Sequence, residues 1–232
     1  MTLLESEALV VRTVELGESD VVATLVTEQA GKLAAVVRGG RKGSRRVGGA
    51  LEPLHTVCVL LDDKGGELAT LKEARIVRLR PRVASDLDAL DAAGVALRWA
   101  RHLFPPRTPE PRGWQVLIEL LDALERGSLS PRTDLARAGL AMLVAVGYGL
   151  ELEACIVCGR NCPAGRAACL DPARGGLICR ACGGASTVLT AGVRDAARAL
   201  VAGRCGAVSD GQARAVLGVV DRAMAAHAGF ER

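Results

Sequence analysis

Three observations predict an α+β multidomain protein. The first 80 residues hold five short apolar runs broken by turn residues. From about residue 83 the apolar period lengthens to that of helices. Late in the chain, two C-x-x-C pairs interrupt the helical pattern. The expected division is 1–80 β, 81–151 helical, 152–186 a cysteine module, and 187–232 C-terminal helices that pack with the helical domain.

The first expected strand is Ala8 to Leu16, with Arg12 and Glu15 interrupting it. Val21 to Thr27 follows, rich in β-branched residues, then Gly31 to Val37, His55 to Leu61 and Leu68 to Leu79. Gly17-Glu18-Ser19-Asp20, Gln29-Ala30-Gly31 and Asp62-Asp63-Lys64-Gly65-Gly66 supply turns. Five short strands so punctuated indicate a small barrel or sandwich. A five-stranded barrel of about 80 residues fits the OB-fold, which binds nucleic-acid strands.

In the first expected helix, Leu87, Leu90, Gly94, Leu97 and Arg101 share a stripe, with Ser85 as its N-cap and Asp88 three residues on. Four prolines and two charges between Pro105 and Pro111 then break the chain. Leu117, Leu120, Leu121 and Leu124 mark a second helix, ended by Gly127. Ser130-Pro131 opens a third, with proline where its missing N–H costs nothing. Its apolar face is Leu135, Gly139, Met142, Leu143 and Val146. Thr190 caps a fourth helix that ends at Gly203. Ser209 with Gln212 forms a capping box for the last, whose face is Val216, Val219, Val220 and Ala223.

The cysteine pairs are Cys155-Ile156-Val157-Cys158 and Cys179-Arg180-Ala181-Cys182, with 20 residues between them. This is the spacing of a structural zinc site. Two C-x-x-C turns give Zn2+ two tetrahedral corners each, and four thiolates leave no open position for chemistry. Cys162, four residues past Cys158, is a candidate substitute ligand; the bland role for it and for Cys169 is a small half-buried side chain. Cys58 and Cys205 sit in apolar runs and read as core. Eight cysteines also allow a disulfide framework, but Met1 to Glu7 carries two glutamates and no basic leader. Bound zinc in a reducing cytoplasm is the better account.

The chain has 232 residues, half of them apolar, and a net charge of +4. No apolar run approaches the roughly 18 residues of a membrane span. Mean basicity is slight, but between Glu28 and Glu52 there is no acid. Lys32, Arg38, Arg41, Lys42, Arg45 and Arg46 fall in that gap, the last five within nine positions, among glycines. In a barrel this loop joins strand three to strand four. Guanidinium groups on a glycine-rich loop can follow an irregular phosphate backbone. The alternative is a solvated loop that keeps the protein soluble. Arg160, Arg166, Arg174 and Arg180 surround the cysteines and can either offset the charge of a tetrathiolate centre or meet phosphate. The first 98 residues hold no aromatic side chain. Any nucleic-acid surface there works through phosphates rather than base stacking.

No catalytic pattern is visible. His55, His102 and His227 are far apart and read as surface residues. Asp62-Asp63 reads as turn chemistry. There is no P-loop, H-E-x-x-H or G-x-S-x-G.

Ala8-Leu9-Val10-Val11-Arg12-Thr13, Gly17-Glu18-Ser19-Asp20 and Thr27-Glu28-Gln29-Ala30-Gly31-Lys32 resemble the start of the bacterial RecO family of recombination mediators. Val37-Arg38-Gly39-Gly40-Arg41-Lys42 with Ser44-Arg45, Leu51-Glu52-Pro53-Leu54, Cys155-x-x-Cys158-Gly159 and Gly175-Gly176-Leu177-Ile178-Cys179-x-x-Cys182 continue the likeness. Together they cover nearly the whole chain. The resemblance implies an N-terminal OB-fold, a helical domain and a zinc finger. It implies a non-enzymatic DNA-repair protein, cytoplasmic and nucleoid-associated, that binds single- and double-stranded DNA and anneals complementary strands. It implies partnership with RecR, with single-stranded-DNA-binding protein (SSB) and, indirectly, with RecA. The family's basic surface maps to Arg38, Arg41, Lys42, Arg45 and Arg46, and its zinc ligands to Cys155, Cys158, Cys179 and Cys182. A zinc-stabilised protein–protein adaptor that never touches DNA is the rival reading; a metal-dependent hydrolase lacks an open metal site.

Overall fold

The computed structural model describes residues 2–40 and 47–228. Arg41, Lys42, Arg45 and Arg46 lie outside the described residues. The chain divides into two compact units, Met1–Gly127 and Ser128–Arg232.

In the first unit, β1 (Thr2–Leu16), β2 (Asp20–Thr27), β3 (Gly31–Val37), β4 (Thr56–Asp63) and β5 (Leu68–Arg78) close into a barrel in the order β1-β2-β3-β5-β4. Only β3 and β5 pair in parallel. This is the connectivity of an OB-type barrel. β1 serves two neighbours. Its first half pairs with β4 and its second half with β2, and the register shifts between Val10 and Arg12. Such a bulge bends a strand far enough to close a small barrel. Alternation along the strands sends Ala23, Leu25, Leu33, Ala35, Val37, Val57, Val59 and Leu61 inward. Small side chains fill the narrow interior, and no ring is needed.

Three helices complete this unit: α1 (Pro81–Ser85), α2 (Leu87–Leu103) and α3 (Pro111–Glu125). The expected cap of α2 moves by one residue. Asp86 accepts from the Ala89 N–H, while Ser85 ends α1 and bonds back to the Arg82 carbonyl. The buried stripe also differs. It runs through Ala89, Ala92, Ala93, Ala96, Leu97, Trp99 and Ala100, while Leu87 stands 84% exposed. Alanines let α2 approach its neighbours closely, so its packing face includes Leu97 and Leu103 but not Leu87 or Leu90.

Two polar expectations are corrected. Asp62 and Asp63 end β4 instead of sitting in a turn. Asp62 is 6% exposed and pairs with Lys72 at 3.4 Å. Asp63 accepts from the Gly65 N–H at 2.9 Å and from Arg107 at 2.5 Å. The Arg107 guanidinium holds the Asp63 carboxyl below the usual carboxylate range. Cys58 is no core residue. It faces outward on β4, half-buried, and its thiol lies 3.2 Å from a Glu5 carboxylate oxygen.

Arg80 connects β5 to α3. Its side chain has no exposed surface. Its guanidinium donates to the Leu54 carbonyl at 2.7 Å, the Thr56 hydroxyl at 3.0 Å and Asp122 of α3 at 2.8 and 3.1 Å. The Arg80 N–H meets Nδ1 of His55 at 3.2 Å.

In the second unit, α4 (Pro131–Ala145) packs against α5 (Ala191–Val201) and α6 (Asp210–Ala228). Thr190 caps α5, and Ser209 and Gln212 exchange bonds at the start of α6. Between α4 and α5 lies a small sheet of order β6-β8-β7-β9: β6 (Glu151–Cys155), β7 (Ala168–Asp171), β8 (Gly176–Leu177) and β9 (Thr187–Leu189). Among the described residues no helix is long and apolar enough to cross a membrane.

Removing one partner of a buried ion pair leaves the other charge without compensation. Asp122→Asn should therefore destabilise the protein by about 3 kcal/mol, the low end of the range for buried pairs because Asp122 is 25% exposed. Urea unfolding measures it; a midpoint equal to that of the unmodified protein would remove Arg80 as the link between β5 and α3.

Candidate metal centre and basic loop

β6 and β8 run side by side in parallel, with Cys155 opposite Leu177. Each strand delivers a cysteine into a tight turn. After β6, the Gly159 N–H closes onto the Cys155 carbonyl at 2.8 Å. After β8, the N–H groups of Cys182 and Gly184 close onto the Cys179 carbonyl at 2.9 and 3.1 Å. Gly159 at φ +69° and Gly183 at φ +101° turn where side chains with a Cβ are strained. The strand pairing thus brings the two knuckles face to face.

The Sγ atoms of Cys155, Cys158, Cys179 and Cys182 all lie within 4.8 Å of one another, and those of Cys158 and Cys179 are 3.8 Å apart. Four sulfurs at about 2.3 Å from a tetrahedral ion would be about 3.8 Å apart, so the residues present fit a metal ion. Cys162 and Cys169 are not in the group.

The electrostatics are uneven. The backbone N–H groups of Cys179, Cys158 and Val157 point at the Cys155 sulfur and pull its pKa down to about 6. The thiols of Cys179 and Cys158 push Cys182 up to about 12. Four thiolates cannot crowd together without a cation, and a bound dication reverses that pressure.

Arg194 of α5 anchors the cysteine module. It is fully buried. Its guanidinium donates to the carbonyls of Leu152 (2.9 Å), Pro163 (2.8 Å), Arg166 (3.0 Å) and Cys162 (2.5 Å). Sequence reasoning missed this residue. Its one signal was a charge on the stripe of α5 that also carries Ala197 and Leu200.

At the basic segment, Arg38 is exposed in the turn that leaves β3. The next residue is tied down: the Gly39 N–H donates to Asp20 at 2.9 Å, and Ser19 donates to the same oxygen at 3.0 Å. These bonds, the Gly39 amide first, lower the Asp20 pKa. Asp20 thereby fixes the point where the basic loop departs. Lys32 has another task. Its ammonium donates to the Arg101 carbonyl near the end of α2 at 2.6 Å, and burial lowers its pKa. Arg160, Arg166, Arg174 and Arg180 are all exposed. Of the other two histidines, His227 stacks on Tyr148 with ring centroids 4.2 Å apart, and His102 lies beside Arg101.

Residues 1–80 match the family model described as Recombination protein O N terminal, and residues 84–232 match Recombination protein O C terminal. A protein of Geobacter sulfurreducens named DNA repair protein RecO is 37% identical over 88% of this chain and 84% of its own length. One of the same name from Geobacter metallireducens is 35% identical over 98% of this chain and 93% of its own. A third, from Rubrobacter xylanophilus, is 34% identical over 78% and 72%.

If the four clustered sulfurs hold one metal ion, Cys158→Ser should purify without stoichiometric metal and melt at a lower temperature, whereas Cys162→Ser should keep both. Atomic absorption and thermal denaturation read the two effects. Full metal content in Cys158→Ser would show that another thiol takes its place.

Proposed function

The chain belongs to the recombination protein O family, and from that membership we propose that it acts in DNA repair and homologous recombination as a non-enzymatic mediator. In this reading it binds single- and double-stranded DNA and anneals complementary strands. With RecR it helps to load RecA onto single strands coated by SSB. The observation that carries the reading is the barrel itself: an OB-type closure whose β3 exit starts an acid-free cationic loop at an exposed Arg38.

The physical basis is charge. Arg38, Arg41, Lys42, Arg45 and Arg46 neutralise phosphates and release their counterions. Two strands carrying fewer net charges repel each other less, which is the electrostatic part of annealing. Asp20, by holding Gly39, sets the direction in which the loop leaves the barrel. The barrel interior and loop hold no aromatic ring, so affinity should depend little on base identity.

Zn2+ is the proposed occupant of the four-cysteine centre. Four soft thiolates in tetrahedral array suit it. With all four positions taken by protein, its role is structural. Its binding energy, about 10–16 kcal/mol in small zinc modules, couples to the folding of β6–β9.

If all five loop cations contact phosphate, log affinity for a single strand should fall against log salt with a slope of about −3.5, at about −0.7 per phosphate. Reversing Arg41, Lys42 and Arg45 together should flatten that slope and slow annealing of SSB-coated complementary strands. Unchanged affinity at low salt would remove the loop from the interface. An oligonucleotide that the unmodified protein fails to bind at any salt would end the DNA reading.

A further inference from the structure

Beside the metal centre, in the second unit, lies a cavity of about 560 Å³. It shares Cys155 and Cys179 with the metal centre, and its apolar lining is the buried Leu177 and Ile178 with Val188, which is 65% exposed. Its rim carries Asn161 and three exposed arginines, Arg160, Arg166 and Arg180. No aspartate or glutamate lines it. Volumes of about 300–1,000 Å³ with an apolar lining and a few convergent polar groups are typical of ligand sites.

The three arginines do more than balance the metal centre. Four thiolates on one dication leave a net charge of about −2, which three guanidinium groups exceed. The hydrogen bonds that hold the Cys155 sulfur come from backbone N–H groups, not from these side chains. Arg194 shows the contrast, since it spends its donors on four buried carbonyls. The rim guanidinium groups face solvent around an apolar bed. The chemistry that answers both features is an anion with a flat, weakly polar body.

We propose that this cavity holds a nucleotide of single-stranded DNA, a contact separate from the barrel loop. Arg160, Arg166 and Arg180 present planar forks to phosphate oxygens. The base lies on Val188, 65% exposed, and guanidinium planes supply the stacking that aromatic rings give elsewhere. The Asn161 amide offers a donor and an acceptor to the base edge. The inference rests on the DNA-binding reading above, and it adds a second place where the strand is held.

The test uses the full-length, metal-loaded protein and a fluorescent oligothymidylate. Arg160→Ala/Arg166→Ala/Arg180→Ala should bind more weakly, with a salt slope shallower by about 2, and retain its metal. Because Arg180 sits between two ligands, Arg160→Ala/Arg166→Ala serves as a second variant, with an expected change of about 1.4. Photocrosslinking an iodouridine-substituted oligonucleotide to the unmodified protein should label peptides from residues 160–188. An unchanged slope in the double variant, with crosslinks confined to residues 1–80, overturns the cavity and leaves the barrel reading intact. No binding by the unmodified protein overturns both. If polyglutamate displaces the 160–188 crosslinks as well as unlabelled oligothymidylate does, the cavity is a site for acidic peptide instead.

Discussion

A guanidinium can leave water only where its N–H groups find acceptors, because an unpaired buried charge costs several kcal/mol. Arg194 meets that condition with four backbone carbonyls, drawn from β6 and from the irregular chain between the two knuckles. Those carbonyls have no other described use in a stretch with little regular structure. One side chain of α5 thus fixes the height and tilt of the cysteine module on its helix. Arg80 repeats the device in the first unit, where carbonyl, hydroxyl and carboxylate acceptors meet it at the end of β5. In both places a single cation organises a segment too irregular to satisfy its own backbone.

The metal centre depends on that anchoring and contributes to it. Parallel pairing of β6 and β8 sets the knuckles side by side, but the pairing is short, with a two-residue β8. So short a ladder would not by itself hold four thiolates together against their own repulsion. The opposed shifts of Cys155 and Cys182 express this strain: backbone amides favour one thiolate, while neighbouring thiols oppose another. A dication resolves the conflict by attracting all four at once. Strands, knuckles and the Arg194 clamp therefore belong together, and an ion held by the four sulfurs would complete the set.

The strands were legible because turn residues delimit them and because β-branched residues alternate with polar ones. β2 and β3 lie within a residue of their expected limits. The first six residues of β1 were not, since Glu5, Ser6 and Glu7 look like loop. Ser6 is buried and accepts from the Gln29 N–H at 3.2 Å, a partner 23 positions away. The packing face of α2 was misread because leucines mark hydrophobicity while alanines mark close approach. The cluster of four cysteines was legible from spacing alone, whereas Cys162 and Cys169 fall outside it only once the strands have been placed. Arg80, Arg194 and Lys32 were opaque for one reason. A charge reads as solvated until its acceptors arrive from distant parts of the chain.

The lack of rings in the barrel constrains how it can grip a polymer. An interior of alanine, valine and leucine is narrow and offers no π-face at the surface. Any grip on a polymer would then come from charge, which is long-ranged, tolerant of position and weakened by salt. The cations that follow β3 in sequence suit that regime, provided that the strand they leave is fixed. Asp20 supplies the fixed root through Gly39, and the short Gly17–Asp20 turn brings it there. Lys32, with its ammonium committed to the Arg101 carbonyl, fixes the other end of β3. A few hydrogen bonds, at Asp20 and at Lys32, thus hold both ends of β3 in place.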